Sequence, residues 1–234
     1  MLDALAAAEA AAGTNEIARR TGINASTVSR LLATLADRGF VEHVAENGRY
    51  RLGLRLLQLG NAVRLDLREI ARPHLHALVE ETGETATLSA PGERDAVTVD
   101  FVQSAASVQS VARLGRPSVG HATATGKVLL AFGGAALPPR PLRSYTERTV
   151  TDREALAAEV ERVRERGWAQ ASGERERDLN AIAAPVRGSR GELAAILGLQ
   201  GPASRFDLAA MRAAVEPLLE HAAAVSSGLG WNPG

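Results

Sequence analysis

Apolar positions recur at helical spacing in some stretches of the chain and crowd into strand-like runs in others. Leu2, Leu5 and Ala8 fall on one helical face and predict a first helix ending near Gly13. Thr14 is placed to cap a second helix, with Glu16 and Ile17 in its first turn, and Gly22 ends it. Asn24 caps a third, in which Val28, Leu31, Leu32 and Leu35 keep helical spacing until Gly39 closes it. Residues 40–44 and Arg49–Leu52 are β-prone runs joined through Glu46-Asn47-Gly48, a strong hairpin signal.

Leu54, Leu56, Leu57, Leu59, Val63, Leu67 and Ile70 continue the helical spacing, and Leu75, Leu78 and Val79 extend it to Gly83. This predicts a long linking helix, kinked or broken near Pro73, which lacks the backbone donor a helix interior needs. Strands are then predicted over Thr85–Ala90, Ala96–Val102, 168–171, 181–186 and 193–199. Helices are predicted over Ala124–Phe132 and, capped by Asp152, as far as Arg166. A Pro-rich loop fills 137–141, and Leu208, Met211, Val215, Leu218, Leu219, Ala222 and Val225 mark one closing amphipathic helix.

Residues 14–33 fit a helix–turn–helix. Ala18 is small where two helices must cross, and Gly22 tolerates the positive φ of the turn. Ile17, Ile23, Val28 and Leu31 are apolar where the helices share a buried face. The start of the second helix carries Ser26, Thr27, Ser29 and Arg30, groups able to reach base edges and phosphates. The hairpin reads as a wing, with Tyr50 and Leu52 on one face and Arg49 and Arg51 on the other. The candidate DNA contacts are therefore Thr14, Asn24, Ser26, Thr27, Ser29, Arg30, Arg49 and Arg51. Between 14 and 55, seven arginines face four acids, while 61–234 holds 20 basic and 21 acidic residues. The local excess has the sign that DNA requires. The same short helices and hairpin also suit a protein-interaction module.

Composition narrows the classes further. The chain is 45% hydrophobic and 23% charged, with a formal net charge of zero, so any basic face is local. There is no Cys, which excludes disulfides, thiolate metal sites and Cys nucleophiles, and fits a cytoplasmic protein. No apolar run is long enough for a membrane span, and the start lacks the pattern of a signal peptide. The basic residues are 26 Arg and one Lys, Lys127. The segment 120–128 departs from a phosphate loop in its glycine spacing, so Lys127 reads as a solvated or ion-paired helix residue. Arg116 occupies the place where a nucleophile elbow needs Gly. His74 and His76 point to different faces, and His43, His121 and His221 are isolated along the chain, so no metal site is expected. The 153–166 stretch reads as a solvated helix face with i,i+4 pairs. Arg175 and Arg177 sit among Glu174, Glu176 and Asp178 in a loop placed to cover a pocket. Without a nucleophile, metal cluster or carboxylate pair, an enzyme is the weaker expectation, and no cofactor is implied.

Several ordered blocks together resemble the isocitrate-lyase-regulator (IclR) family of bacterial transcription factors. Residues 14–35 are similar to its helix–turn–helix, and 39–42 with 48–53 to its wing and exit. Pro73-His74-Leu75 and 81–85 resemble the start of its sensor domain, and His121-Ala122-Thr123-Ala124-Thr125-Gly126-Lys127 its signature before a sensor helix. Two further blocks, 179–186 and 201–205, match as well.

The resemblance implies an α+β protein with a winged helix–turn–helix over 1–58, a linker helix over 59–72, and a GAF-like α/β sensor domain with an antiparallel sheet over 73–234. It implies a regulator, more often a repressor, that reads a pseudo-palindromic operator on double-stranded DNA as a homodimer or tetramer. It also implies several more residues before the first helix. By motif, the effector contacts are Thr123, Ala124, Thr125, Ala171, Leu179, Ala181, Gly198 and Gln200. The family often has an acid in place of Ala171 and small polar residues in place of Ala181 and Gly198. That difference predicts an effector larger and less polar than a two- or three-carbon keto acid. The remaining alternatives are a packed core without ligand, and a sensor acting on protein partners.

Overall fold

The computed structural model describes residues 1–8, 11–62 and 65–232. Contacts divide the chain into two compact units, Met1–Leu65 and Asp66–Gly234.

The first unit contains α1 (Leu2–Ala6), α2 (Thr14–Thr21), α3 (Ala25–Asp37), the hairpin β1 (Val41–Val44) and β2 (Arg49–Leu52), and α4 (Arg55–Ala62). Its core is small: Leu5, Ala12, Ile17, Val28, Leu32 and Val41 are buried, with Ala18, Ile23, Leu35 and Tyr50 packed against them. Several expectations are corrected here. The first described helix stops at Ala6, and Ala12 is off the helical path, exchanging two 2.9 Å backbone hydrogen bonds with Tyr50 in an isolated bridge to the wing. Residues 9 and 10 of that expected helix lie outside the described residues. Gly13 is the cap of α2 and Thr14 its first residue, so Thr14 does not cap it. Leu31 is 41% exposed, and the shared face of α2 and α3 is completed by Leu32 instead. The hairpin turn is four residues long, with Val44 paired to Arg49.

The second unit is built on a six-stranded antiparallel sheet of order β5-β4-β3-β8-β7-β6. The strands are β3 (Thr85–Ala90), β4 (Ala96–Val102), β5 (Pro117–Ser118), β6 (Ala169–Ser172), β7 (Leu179–Arg187) and β8 (Leu193–Pro202). Helices cover both faces. On one, α5 (Leu65–Thr82) and α9 (Val215–Gly228) bury Leu75, Leu78, Leu218 and Val225 against Leu88, Ile182 and Leu197. On the other, α6 (Ala124–Phe132) and α7 (Arg153–Arg166) bury Val128, Leu129, Leu156 and Val163 against Ala183 and Ile196. Because β7 and β8 are covered on both sides, they read as continuous apolar runs and not as alternating ones. Each fully buried leucine contributes about 1.5–3 kcal/mol relative to exposure.

Pro73 lies inside α5 and neither ends nor interrupts it, so of the kink or break expected there the break is absent. Val63, part of the expected linker pattern, lies outside the described residues. The closing helix is two pieces, α8 (Leu208–Ala213) and α9, meeting at Ala214. The ion pairs within α7 run i,i+3, Glu159–Arg162 and Glu161–Arg164, and i,i+7, Glu159–Arg166, while Leu156, Val160 and Val163 turn inward. His221 is not isolated: its Nδ1 lies 2.9 Å from His74 Nδ1, and its Nε2 lies 3.3 Å from Glu81. Burial, then the neighbouring His221, hold His74 below the usual histidine range.

Candidate nucleic-acid interface and ligand cavity

In the first unit, Gly22 takes φ +71° between α2 and α3, which an L side chain adopts only with strain. The turn lets fully buried Ile17, Val28 and Leu32 meet, leaving the opposite face of α3 free. Ser26, Ser29 and Arg30 lie on that face at i, i+3 and i+4 and are exposed, while Thr27 is half-buried. Asn24 caps α3: its Oδ1 accepts from the Thr27 N–H and from the Ser26 hydroxyl, both at 2.9 Å. Ser29 and Arg30 side chains have no partner among the described residues, so these two exposed groups are free to meet a ligand. Thr14 is half-buried in the first turn of α2.

Both wing arginines are engaged. Arg49 donates to the Ala11 carbonyl at 3.1 Å and to Glu16 at 2.7 Å, and Glu16 also holds Arg20 at 2.8 Å. Arg51 donates to Glu42 across the hairpin at 2.8 Å, and it holds the Glu42 carboxyl below the usual range. The exposed arginines without an acidic partner among the described residues include Arg19, Arg30 and Arg38, all on helices or their ends.

In the second unit a cavity of about 60 Å³ lies against the sheet face that α6 covers. Thr123, Ala124, Thr125, Ala171, Leu179, Ala181 and Gln200, all named from sequence, line it together. Gly198 does not; it backs the wall, where a Cβ would come within 2.8 Å of the Thr87 hydroxyl. The Thr123 hydroxyl is spent on capping α6, accepting from the Gly126 N–H at 2.9 Å and donating to the Val119 carbonyl at 3.0 Å. The Thr125 hydroxyl has no partner among the described residues. Gln200 donates to the Ser110 hydroxyl at 2.6 Å.

Several lining residues escaped the sequence reading. Thr87, Ser89, Thr98 and Ser118 bring hydroxyls from three strands, and Arg113 and Arg116 come from the chain between β4 and β5. A signal for the first two was present: Thr85, Thr87 and Ser89 are polar at period two in a strand that is otherwise buried. Arg113 has no side-chain partner among the described residues, whereas Arg116 pairs with Glu176 and Arg175 donates to the Pro117 carbonyl at 2.6 Å. These contacts seat the 173–178 loop beside the cavity.

Lys127 is not solvated. Its side chain is 3% exposed, and Nζ donates to the Gln170 carbonyl at 2.9 Å and to Glu174 Oε1 at 2.6 Å. Glu174 borders the cavity, and burial pushes its carboxyl above the usual range against the opposing pull of Lys127. Among the described residues there is no group of three or more His, Asp or Glu side chains able to hold a metal, and no helix long and apolar enough to cross a membrane.

Residues 60–227 match the family described as bacterial transcriptional regulator IclR C-terminal, and residues 1–45 match the IclR helix-turn-helix domain. The chain belongs to the IclR family. The HTH-type transcriptional regulator XynR of Escherichia coli K12 is 33% identical over 223 residues, 92% of this chain and 88% of that protein. The HTH-type transcriptional regulator Rv1719 of Mycobacterium tuberculosis is 36% identical over 196 residues, 82% of this chain and 75% of that one. Among solved structures, a putative IclR regulator from Silicibacter sp. TM1040 superposes with a TM-score of 0.84 at 29% identity, covering 96% of this chain and 91% of that chain. An IclR homolog from Microbacterium hydrocarbonoxydans, complexed with 4-hydroxybenzoate, superposes at 0.75 with 26% identity, covering 97% and 95%. The protein is thus a transcriptional regulator of the IclR family, with a helix–turn–helix DNA-binding domain and a C-terminal effector-binding domain.

Proposed function

We propose that this IclR-family protein is a cytoplasmic repressor that binds a pseudo-palindromic operator as a homodimer or tetramer and is controlled by a small organic acid. The observation that carries the acid is Arg113, an arginine without a partner among the described residues on a cavity lined with strand hydroxyls. An unpaired guanidinium recognises a carboxylate more strongly than it does a neutral group. The relative bound to 4-hydroxybenzoate supports the same class, and the E. coli relative named DNA-binding transcriptional repressor YiaJ supports repression. The alanines Ala122, Ala124, Ala171 and Ala181 favour a ligand with an apolar body, larger than a two- or three-carbon keto acid.

Base reading falls to Ser29 and Arg30, with Ser26 and Thr27 beside them, while Thr14, Asn24, Arg49 and Arg51 position the unit on phosphates. The effector acts by binding one arrangement of the protein better than another. The test is to mix the purified protein with fragmented DNA from its source at about physiological salt and sequence what is retained. A few palindromic sites are expected, and Arg30→Ala is expected to weaken binding to them about ten- to a hundredfold. No enrichment moves the reading to protein partners, and unchanged affinity and preference removes Arg30 from the reading set.

A further inference from the structure

The polar face of α3 carries one apolar position. Ser26, Ser29 and Arg30 stand on the side opposite the buried Val28 and Leu32, and Ala33 stands with them, exposed. The four fall at i, i+3, i+4 and i+7, a single row along two turns of helix. A helix lying in the major groove reads bases from positions with that spacing. Asp37, exposed one turn beyond Ala33, carries the charge that phosphates repel and closes the row. The adjacent Thr34 is committed elsewhere, its hydroxyl donating to the Arg30 carbonyl at 3.1 Å.

A methyl side chain has no donor and no acceptor, so it cannot read the hydrogen-bonding edge of a base. The major groove offers one apolar group, the C5-methyl of thymine. We infer that Ala33 is a specificity residue of the DNA-binding helix and selects a T·A pair by packing its Cβ on the thymine methyl. The inference rests on the reading of Ser29 and Arg30 as base contacts. A polar base edge set against Cβ loses its water and gains no partner, so the wrong pair is penalised as well. Arg30 and Ala33 are three residues apart, about 4.5 Å along the helix axis. A base step is about 3.4 Å. The thymine therefore lies one or two steps from the base that Arg30 reads, which for arginine is most often guanine.

The test takes the sites that the full-length protein retains from a randomised duplex library and replaces dT by dU, one position at a time. The exchange removes a methyl and leaves the hydrogen-bonding edge intact. At one dT of the half-site, dU is expected to weaken wild-type binding about three- to fivefold, the worth of one buried methyl. That loss is expected to fall below about twofold in Ala33→Gly. Arg30→Ala should relax the neighbouring position and keep the dU loss. Selection repeated with Ala33→Ser is expected to lose the thymine, because a hydroxyl bonds to several bases. That variant stands in for Ala33→Gly if glycine unfolds α3. Binding indifferent to dU at every position, a dU loss unchanged in Ala33→Gly, or a thymine retained by Ala33→Ser overturns the inference. Base reading by α3 survives each of these if Arg30→Ala relaxes the site. A library from which no site is retained overturns that reading and the inference with it.

Discussion

The carboxylate–arginine pair of the wing and the carboxylate–lysine pair of the cavity have similar lengths and opposite surroundings. Glu42 and Arg51 are both more than half exposed, at 2.8 Å, whereas Glu174 and Lys127 are almost wholly buried, at 2.6 Å. Water screens the first pair, so it can be exchanged for a phosphate at little cost. The second pair sits where each charge depends on the other, so breaking it is expensive. The wing pair thus keeps its charges available, and the cavity pair keeps its charges fixed.

The largest break in this contrast is Lys127→Met. It leaves Glu174 charged and buried without its cation, and is expected to cost about 3–5 kcal/mol, measured by urea unfolding. Adding Glu174→Leu to it should recover much of that loss, because two apolar groups ask nothing of each other. A loss no larger than that of an exposed pair would show that solvent reaches Glu174. Next in size is Asn24→Ala. The cap it removes serves the Thr27 N–H, so the DNA-binding unit should lose about 1 kcal/mol. Its thermal unfolding is the readout, and affinity for DNA should fall with it. The smallest effect on stability is expected from Glu42→Gln, which should leave the melting temperature unchanged. It frees Arg51 for a phosphate, so DNA affinity should rise and the slope of log affinity against log salt should steepen by about one. An unchanged slope would place Arg51 off the DNA.

Legibility in the sequence divides along the same line. The helix–turn–helix is a local object: Asn24, Gly22 and the 28–35 periodicity act within a few residues of one another, so their roles were readable in order along the chain. What failed there was contact at longer range. The Ala12–Tyr50 bridge joins residues 38 apart, and Arg49 finds Glu16 across 33 residues. In the effector domain the signature residues Thr123, Ala124 and Thr125 were legible as a block, and so were Ala171, Leu179, Ala181 and Gln200. Arg113 was not, because a charged residue in an irregular stretch carries no periodicity. For Lys127 the sequence left solvation and ion pairing open, and the structure shows the ion pair, buried against Glu174: a lysine in a nine-residue helix says nothing of which loop will close over it.

The sequence alone determined the order and kind of most elements, the turn at Gly22, the cap at Asn24 and the membership of the chain in its family. These depend on backbone preferences and on apolar spacing, which act over a few residues. Only the tertiary structure decided that Leu32 and not Leu31 faces inward, that α5 runs through Pro73, and that His74 meets His221. It alone gathered hydroxyls from three strands, an arginine from the chain between β4 and β5, and a buried Lys127–Glu174 pair around one cavity. The reason is that sheet pairing in this order joins segments more than a hundred residues apart, such as Thr87 and Gly198. Which charge is dry and which is wet follows from that assembly and from no stretch of sequence by itself.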